Sequence, residues 1–388
     1  MKISGGIAPP SIEWAVVAPE FPPAPGGVSD YTALVAKGLA SEGDAVRVFF
    51  PGSGELANRS GSPRLVPLER GLGLAGLALV LKQLVELPRD ARVLLQYAPH
   101  AFGYKGLNFP FVKLLSSFTR NPLDVMFHEV AYPSSPENSI GRRVLSAVQF
   151  EMAHSIAKRA DRVFVSADAW RPLIECSVRK STSISWLPVP SNLPVVVPPE
   201  DRAAARRMLG EHRNMVLGHF GTFAPGLVGF LSASLPSLLT ADSGRACVLM
   251  GRGAGAFRDI LISGAPSIGD QLVALEGCSA QELARVISAC DIMLQPYPDG
   301  VSGRRSTIMA ALALGVPAVT TSGRLSESLW ETSGGVVLSP ADSYKKFAPA
   351  VEELLRDPIA RVRLGQAGKK LYQSTFDVSH TVRRLRQI

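Results

Sequence analysis

Residues 187–199 read Leu-Pro-Val-Pro-Ser-Asn-Leu-Pro-Val-Val-Val-Pro-Pro. Proline fixes φ and has no N–H to donate, so a run this rich in it fits neither a helix interior nor a central strand. It divides the chain into halves with the same internal rhythm. Before it, short apolar runs predict strands over 14–17, 46–50, 92–97, 123–127, 162–166 and 182–187, with helical patterns such as 29–42 between them. After it, a helix from about 201 and strands over 215–220, 246–250, 292–295 and 318–321 follow, then a long helical end from 340. Strands that alternate with helices build parallel sheets covered on both faces. The predicted fold class is therefore α/β, with two Rossmann-like doubly wound domains facing across a cleft. A chain of 388 residues also exceeds what a single core sustains. The expected boundaries are an N-terminal domain over 1–190, a C-terminal domain over 191–375, and a helix over 376–388 that packs back toward the N-terminal domain. Ligands of such sheets bind at the carboxyl ends of the strands.

With 46% hydrophobic and 19% charged residues, the chain is no disordered polypeptide. Its net charge of +8 comes from 41 Lys and Arg against 33 Asp and Glu. The excess is spread evenly, with 20 basic and 16 acidic residues before Pro199 and 21 and 17 from there on. That favours anionic partners such as nucleotides, phosphates or an acidic membrane surface, and nothing calls for nucleic acid. Cys176, Cys247, Cys278 and Cys290 form no Cys-x-x-Cys pair and read as buried thiols in a reducing compartment. No signal-peptide pattern precedes Glu13, and the apolar run 71–87, interrupted by Lys82, is short of the roughly 20 residues that span a bilayer. It is expected to be a core helix, and the protein to be cytoplasmic.

Three segments carry chemistry. Pro25-Gly26-Gly27-Val28-Ser29-Asp30-Tyr31 leads from the first strand into a helix, where bare backbone and free N–H groups favour an anion or a hydroxyl. The plainer reading is a tight turn with Ser29 as N-cap. Asp124-Val-Met-Phe-His128-Glu129 ends a strand on a polar pair suited to a sugar or phosphate; the other histidines, His100, His154, His212, His219 and His380, read more readily as structural. Most informative is 291–321, a strand, the loop Asp299-Gly300-Val301-Ser302-Gly303-Arg304-Arg305, a helix, and Gly315 as its C-cap. Backbone donors at that helix start and a forked guanidinium suit a diphosphate, and the turn per residue lets at most one of Arg304 and Arg305 reach it fully. Gly251-Arg252-Gly253-Ala254-Gly255 is too incomplete for a dinucleotide fingerprint and lies in the second domain, and the fingerprint near the first strand with an acidic residue about 20 later that an NAD-dependent oxidoreductase needs is lacking. No Asp-x-Asp, HExxH, GxSxG or P-loop pattern occurs.

In these segments, in the crossing 187–194, in Gly221-Thr222-Phe223, and in the Ala-Leu-Gly-Val-Pro-Ala-Val of 313–319, the chain resembles the GT-B glycosyltransferases of the large retaining family four, over nearly its whole length. The resemblance implies a nucleotide-sugar donor held mainly by the second domain, an acceptor held mainly by the first, and transfer with retention of configuration, without a bound metal or other cofactor. It maps the family's glycine-rich loop to Gly26 and Gly27, its strand-mouth histidine to His128, and its donor-phosphate loop to Asp299, Gly300, Val301 and Ser302. To these the expected site adds Asp30 and Glu129 on the acceptor side, Thr222, Arg252, Arg304 and Arg305 on the donor side, and catalysis by His128 and Asp299. The sequence departs from the family where two glutamates usually stand, since Ala310 and Ser302 occupy those places. No basic residue lies in 221–229, and Arg252, Arg304 and Arg305 are expected to supply the charge instead.

The leading expectation is a hexosyltransferase-like enzyme acting on a glycan, lipid-linked or small-molecule hydroxyl in polysaccharide biosynthesis. The alternatives are a catalytically silent relative that binds a nucleotide or glycan, and a nucleotide-sugar epimerase. Phe102, Tyr104, Phe109, Phe111 and Phe118 among Lys105, Lys113 and Arg120 suit a shallow contact with anionic lipid on the inner face of the membrane, or a core with snorkelling cations.

Overall fold

The computed structural model describes residues 11–54, 61–133, 139–210 and 212–387. Residues 1–10, where most of the missing signal pattern was sought, lie outside them.

The chain forms two compact units. The first takes the described residues of 1–166, 170–187 and 378–388, and the second takes Ala167–Ala169 and Pro188–Asp377. In the first, strands β1 (Glu13–Val17), β2 (Ala45–Pro51), β3 (Arg64–Leu68), β4 (Arg92–Tyr97), β5 (Leu123–Phe127), β6 (Arg162–Val165) and β7 (Ile184–Trp186) form one parallel sheet in the order β3-β2-β1-β4-β5-β6-β7. Every residue of β4 and β5 is buried, as helices on both faces require. In the second unit, β8 (Met215–Phe220), β9 (Arg245–Met250), β10 (Leu272–Leu275), β11 (Ile292–Gln295), β12 (Ala318–Ser322) and β13 (Val337–Pro340) pair in parallel in the order β10-β9-β8-β11-β12-β13. The strand order reverses between β1 and β4 in one sheet and between β8 and β11 in the other. Those are the switch points where such sheets hold ligands.

Several sequence expectations are corrected. Strands β3, β10 and β13 were not expected. Residue 340 ends a strand, and helices Tyr344–Arg356 and Pro358–Leu371 follow it. The run 71–87 gives helix Leu74–Val85, which buries Leu77, Val80 and Leu84 but leaves Leu74 and Val85 exposed, so it is amphipathic and not a wholly buried helix. Cys247 and Cys290 are buried, but Cys176 is exposed and Cys278 half-buried; all four are free thiols. Phe102 and Phe111 belong to the first core, while Tyr104 and Phe118 are exposed.

The last helix, Val378–Arg386, belongs to the first unit and lies on helix Gly27–Ser41. Arg386 pairs with Glu42 at 3.2 Å and Asp44 at 3.1 Å, and Arg162 donates to the carbonyls of Leu385 and Gln387. Among the described residues, no helix is long and apolar enough to cross a membrane.

Candidate functional site

In the first unit, the polar groups gather at the carboxyl ends of β1, β4 and β5. Gly26 is the N-cap of helix Gly27–Ser41. A side chain on Gly26 would push away the carboxylate of Glu20, which accepts the Ser29 backbone N–H at 3.1 Å. Ser29 is therefore not the N-cap. It is buried in the first turn, and its hydroxyl has no partner among the described residues. Gly27 faces open space, and Asp30 sits in the first turn, where a negative charge complements the helix dipole.

His128 follows β5 directly and is 7% exposed. Its Nε2 lies 2.8 Å from Gln96 Oε1, on the neighbouring strand, and its ring meets Tyr31 edge-on at 4.8 Å. Burial lowers its pKa to about 3, so the ring is neutral. A carbonyl oxygen only accepts, so Nε2 carries the proton and Nδ1 the lone pair. Glu129 turns outward and pairs with His100 Nδ1 at 3.1 Å. That hydrogen bond, and the charges of Glu129 and Glu20, raise the His100 pKa against the opposing effect of burial. Glu20, Gln96 and His100 thus join the residues named from sequence. None had a local signature: Gln96 is hidden inside an apolar strand, Glu20 stands alone in a loop, and His100 sits in the single helical turn Pro99–Ala101.

In the second unit, the loop after β11 is tightly held. Gly300 has φ +86° and is packed so closely on Gly323 and Ser326 that no side chain fits. Its N–H closes a turn on the Tyr297 carbonyl at 2.9 Å, and the Val301 N–H bonds the Thr321 carbonyl at 2.7 Å. Val301 and Ser302 are fully buried, and the Ser302 hydroxyl has no partner among the described residues. Asp299 accepts from Arg324 at 2.8 and 3.0 Å and lies 3.9 Å from Arg304. Arg305 lays its guanidinium over the Tyr297 ring at 4.7 Å and is the N-cap of helix Ser306–Leu314. The loop therefore brings Asp299, Gly300, Val301, Ser302, Arg304 and Arg305 together at the start of that helix.

Beyond β8 and β9, Thr222 and Arg252 are exposed on loops whose glycines Gly221 and Gly251 touch backbone to backbone. Under them His219 is fully buried. It donates from Nδ1 to the Leu294 carbonyl at 2.7 Å, and burial lowers its pKa to about 4. Glu327 was not foreseen: its carboxylate accepts the Gly303 N–H and the Trp330 indole N–H. Ala310 and Ser302 are both fully buried. A cavity of about 470 Å³, lined among others by Arg202, Gly315, Arg361 and Lys369, lies at the opposite, amino-terminal ends of β11 and β12.

Residues 214–357 match the sequence model of the family described as glycosyl transferases group 1. No curated protein matches the chain. Among solved structures, it is similar to Anabaena Alr3699/HepE in complex with UDP-glucose, at 16% identity and a TM-score of 0.67, over 96% of this chain and 98% of that one. It is also similar to sucrose-phosphate synthase from Thermosynechococcus elongatus, at 17% and 0.69 over 96% and 98%. A third is the UDP-forming trehalose-phosphate synthase from Burkholderia xenovorans, in complex with glucose-6-phosphate, at 12% and 0.67 over 97% and 99%. At such identities the likeness fixes the fold, which is GT-B.

Proposed function

On the premise of a group 1 glycosyltransferase, supported by the match over 214–357 and by the fold, we propose that the chain moves a hexose from a nucleoside-diphosphate sugar to a hydroxyl of a glycan, a lipid-linked sugar or a small molecule, with retention of configuration. The observation that carries this reading is the loop 299–305. It sets two arginines and a glycine turn at a helix start beside the switch point of its sheet, within the matched residues. In the transfer, the bond from the anomeric carbon to the diphosphate breaks and a bond to the acceptor oxygen forms on the same face. The acceptor proton passes to the departing diphosphate, so the protein's task is to orient both reactants and stabilise developing charge. The first unit's mouth, with Gly26, Gly27, Asp30 and Glu129, takes the acceptor side, and His128 beside them is the catalytic hydrogen-bonding group.

The test is incubation of pure protein with nucleotide sugars, with and without a hydroxyl acceptor. Donor hydrolysis or transfer supports the enzyme. Binding without turnover supports a silent relative, a reading favoured by the carboxylate-free, buried Ala310 and Ser302, and an isomerised donor supports an epimerase. The exposed Leu74, Tyr104 and Phe118, with Lys105, Lys113 and Arg120 in the same region of sequence, support a peripheral contact with anionic lipid. Protein that stays in the supernatant of anionic liposomes at low salt would exclude it.

A further inference from the structure

Segment 321–327 runs beside loop 299–303 and is tied to it at almost every residue. The Thr321 carbonyl takes the Val301 N–H, Gly323 closes on Gly300, Arg324 holds the Asp299 carboxylate, and the Leu325 N–H bonds the Asp299 carbonyl at 2.9 Å. The series ends at Glu327. Its two oxygens lie 3.2 and 3.1 Å from the Gly303 nitrogen, and Oε2 also accepts the Trp330 indole N–H at 2.8 Å. Trp330 is itself fixed: it is 1% exposed and stacks on Phe376 at 5.3 Å. Burial raises the Glu327 pKa, while the N–H donors that face it pull the other way.

We propose that Glu327 is a positioning residue for the diphosphate loop. Its carboxylate, anchored through Trp330, holds the Gly303 backbone and so sets Ser302 and Arg304 on either side of it. The proposal rests on reading 299–305 as the site of the donor diphosphate. The physical case is that this loop contains two glycines and would otherwise sample many backbone states, each of which has to be given up when a ligand binds. A carboxylate that accepts a backbone N–H forms a charge-assisted bond. The Asp168 N–H also bonds Oε1, at 3.3 Å, so an amide in its place has one oxygen for three donors and turns its own N–H₂ toward at least one of them.

The experiment titrates UDP, GDP and ADP and carries forward the tightest, together with its nucleoside, against the wild type, Glu327→Gln, Glu327→Ala and the double variant Arg304→Ala/Arg305→Ala. For Glu327→Gln the expected result is at least a tenfold loss of nucleoside diphosphate affinity with nucleoside affinity unchanged, and a raised KM for the donor with kcat within about threefold. Equal losses for nucleotide and nucleoside, or an unchanged nucleotide affinity, overturn the proposal. Glu327→Gln keeps the size of the side chain, so the test stands even where Glu327→Ala fails to fold. If the double arginine variant also leaves nucleotide affinity intact, or the wild type binds none of the three, the reading of the loop itself falls. If the double variant weakens binding and the Glu327 variants do not, only the positioning role falls.

Discussion

At the scale of residues, the two buried histidines are used as neutral groups. With the Nε2 proton of His128 engaged by Gln96, the ring offers a lone pair at Nδ1. It suits a sugar hydroxyl better than a phosphate oxygen, which has no proton to give. His128→Ala is expected to lower turnover about ten- to a thousandfold, the scale of one lost transition-state hydrogen bond, with nucleotide affinity intact. Gln96→Leu should lower it in the same direction, because the ring loses the partner that fixes its tautomer; steady-state kinetics on both variants check this. His128 and His219, lowered to about 3 and about 4 from 6.5, also tie stability to pH. The unfolded chain binds these protons at a higher pH than the folded one. Their contribution is present above pH 6.5 and is lost as pH falls toward the folded values, at about 1.4 kcal/mol per pH unit for each ring. Urea denaturation between pH 7 and pH 4 should show this slope, and His219→Asn should reduce it. His128 was legible in the sequence because it ends an apolar strand; His219 was not, because a histidine within a strand gives no sign of what its two nitrogens meet.

At the scale of elements, the loop 299–305 is held as one unit by its own charges and backbone bonds. Asp299 is held by Arg324 and lies close to Arg304, so its carboxylate orders the loop, whatever part it takes in the proposed binding of a donor hydroxyl. Asp299→Asn is expected to weaken nucleotide binding, and Arg324→Ala to weaken it in the same sense, which an effect on donor hydroxyls alone would not produce. Removing both Arg304 and Arg305 takes away charge-assisted donors worth about 1.5 to 3 kcal/mol each. Calorimetry should then show nucleoside diphosphate affinity reduced at least tenfold. The central strands β1, β4, β5, β8 and β11 could be read almost to the residue, because burial on both faces makes them continuous apolar runs. The edge strands β3, β10 and β13 could not. Arg64-Leu-Val-Pro67-Leu carries a charge and a proline, and β10 and β13 have four residues each, so only pairing with a neighbour already in place makes them strands.

At the scale of the molecule, the sequence rhythm announces two sheets, and the last helix groups with the first unit, in the direction the sequence reading expected; what holds it there was not legible. That link depends on contacts far apart in sequence, centred on Asp124. This carboxylate is fully buried at the start of β5 and accepts from Arg92 at 2.6 and 2.8 Å and from Arg162 at 2.6 and 2.9 Å. Two guanidinium groups on one buried carboxylate leave a net positive charge. Arg162 gives two more of its donors to the carbonyls of Leu385 and Gln387, at the end of helix Val378–Arg386, where positive charge meets the negative end of the helix dipole. The final helix is thus fastened to the sheet through an arginine that the core charge itself orients. Breaking one partner of a buried pair costs about 3 to 5 kcal/mol when the other is left alone. Arg162→Ala leaves Arg92 in place but also releases the helix end, so a loss of about 3 kcal/mol is expected. It should fall on the first unit alone: in a denaturant titration that transition moves to lower concentration while that of the second unit stays, and nucleotide affinity in native buffer does not change. Equal shifts in both transitions, or none, would mean that the helix is held by its apolar face, through Val382 and Leu385, and not by this network.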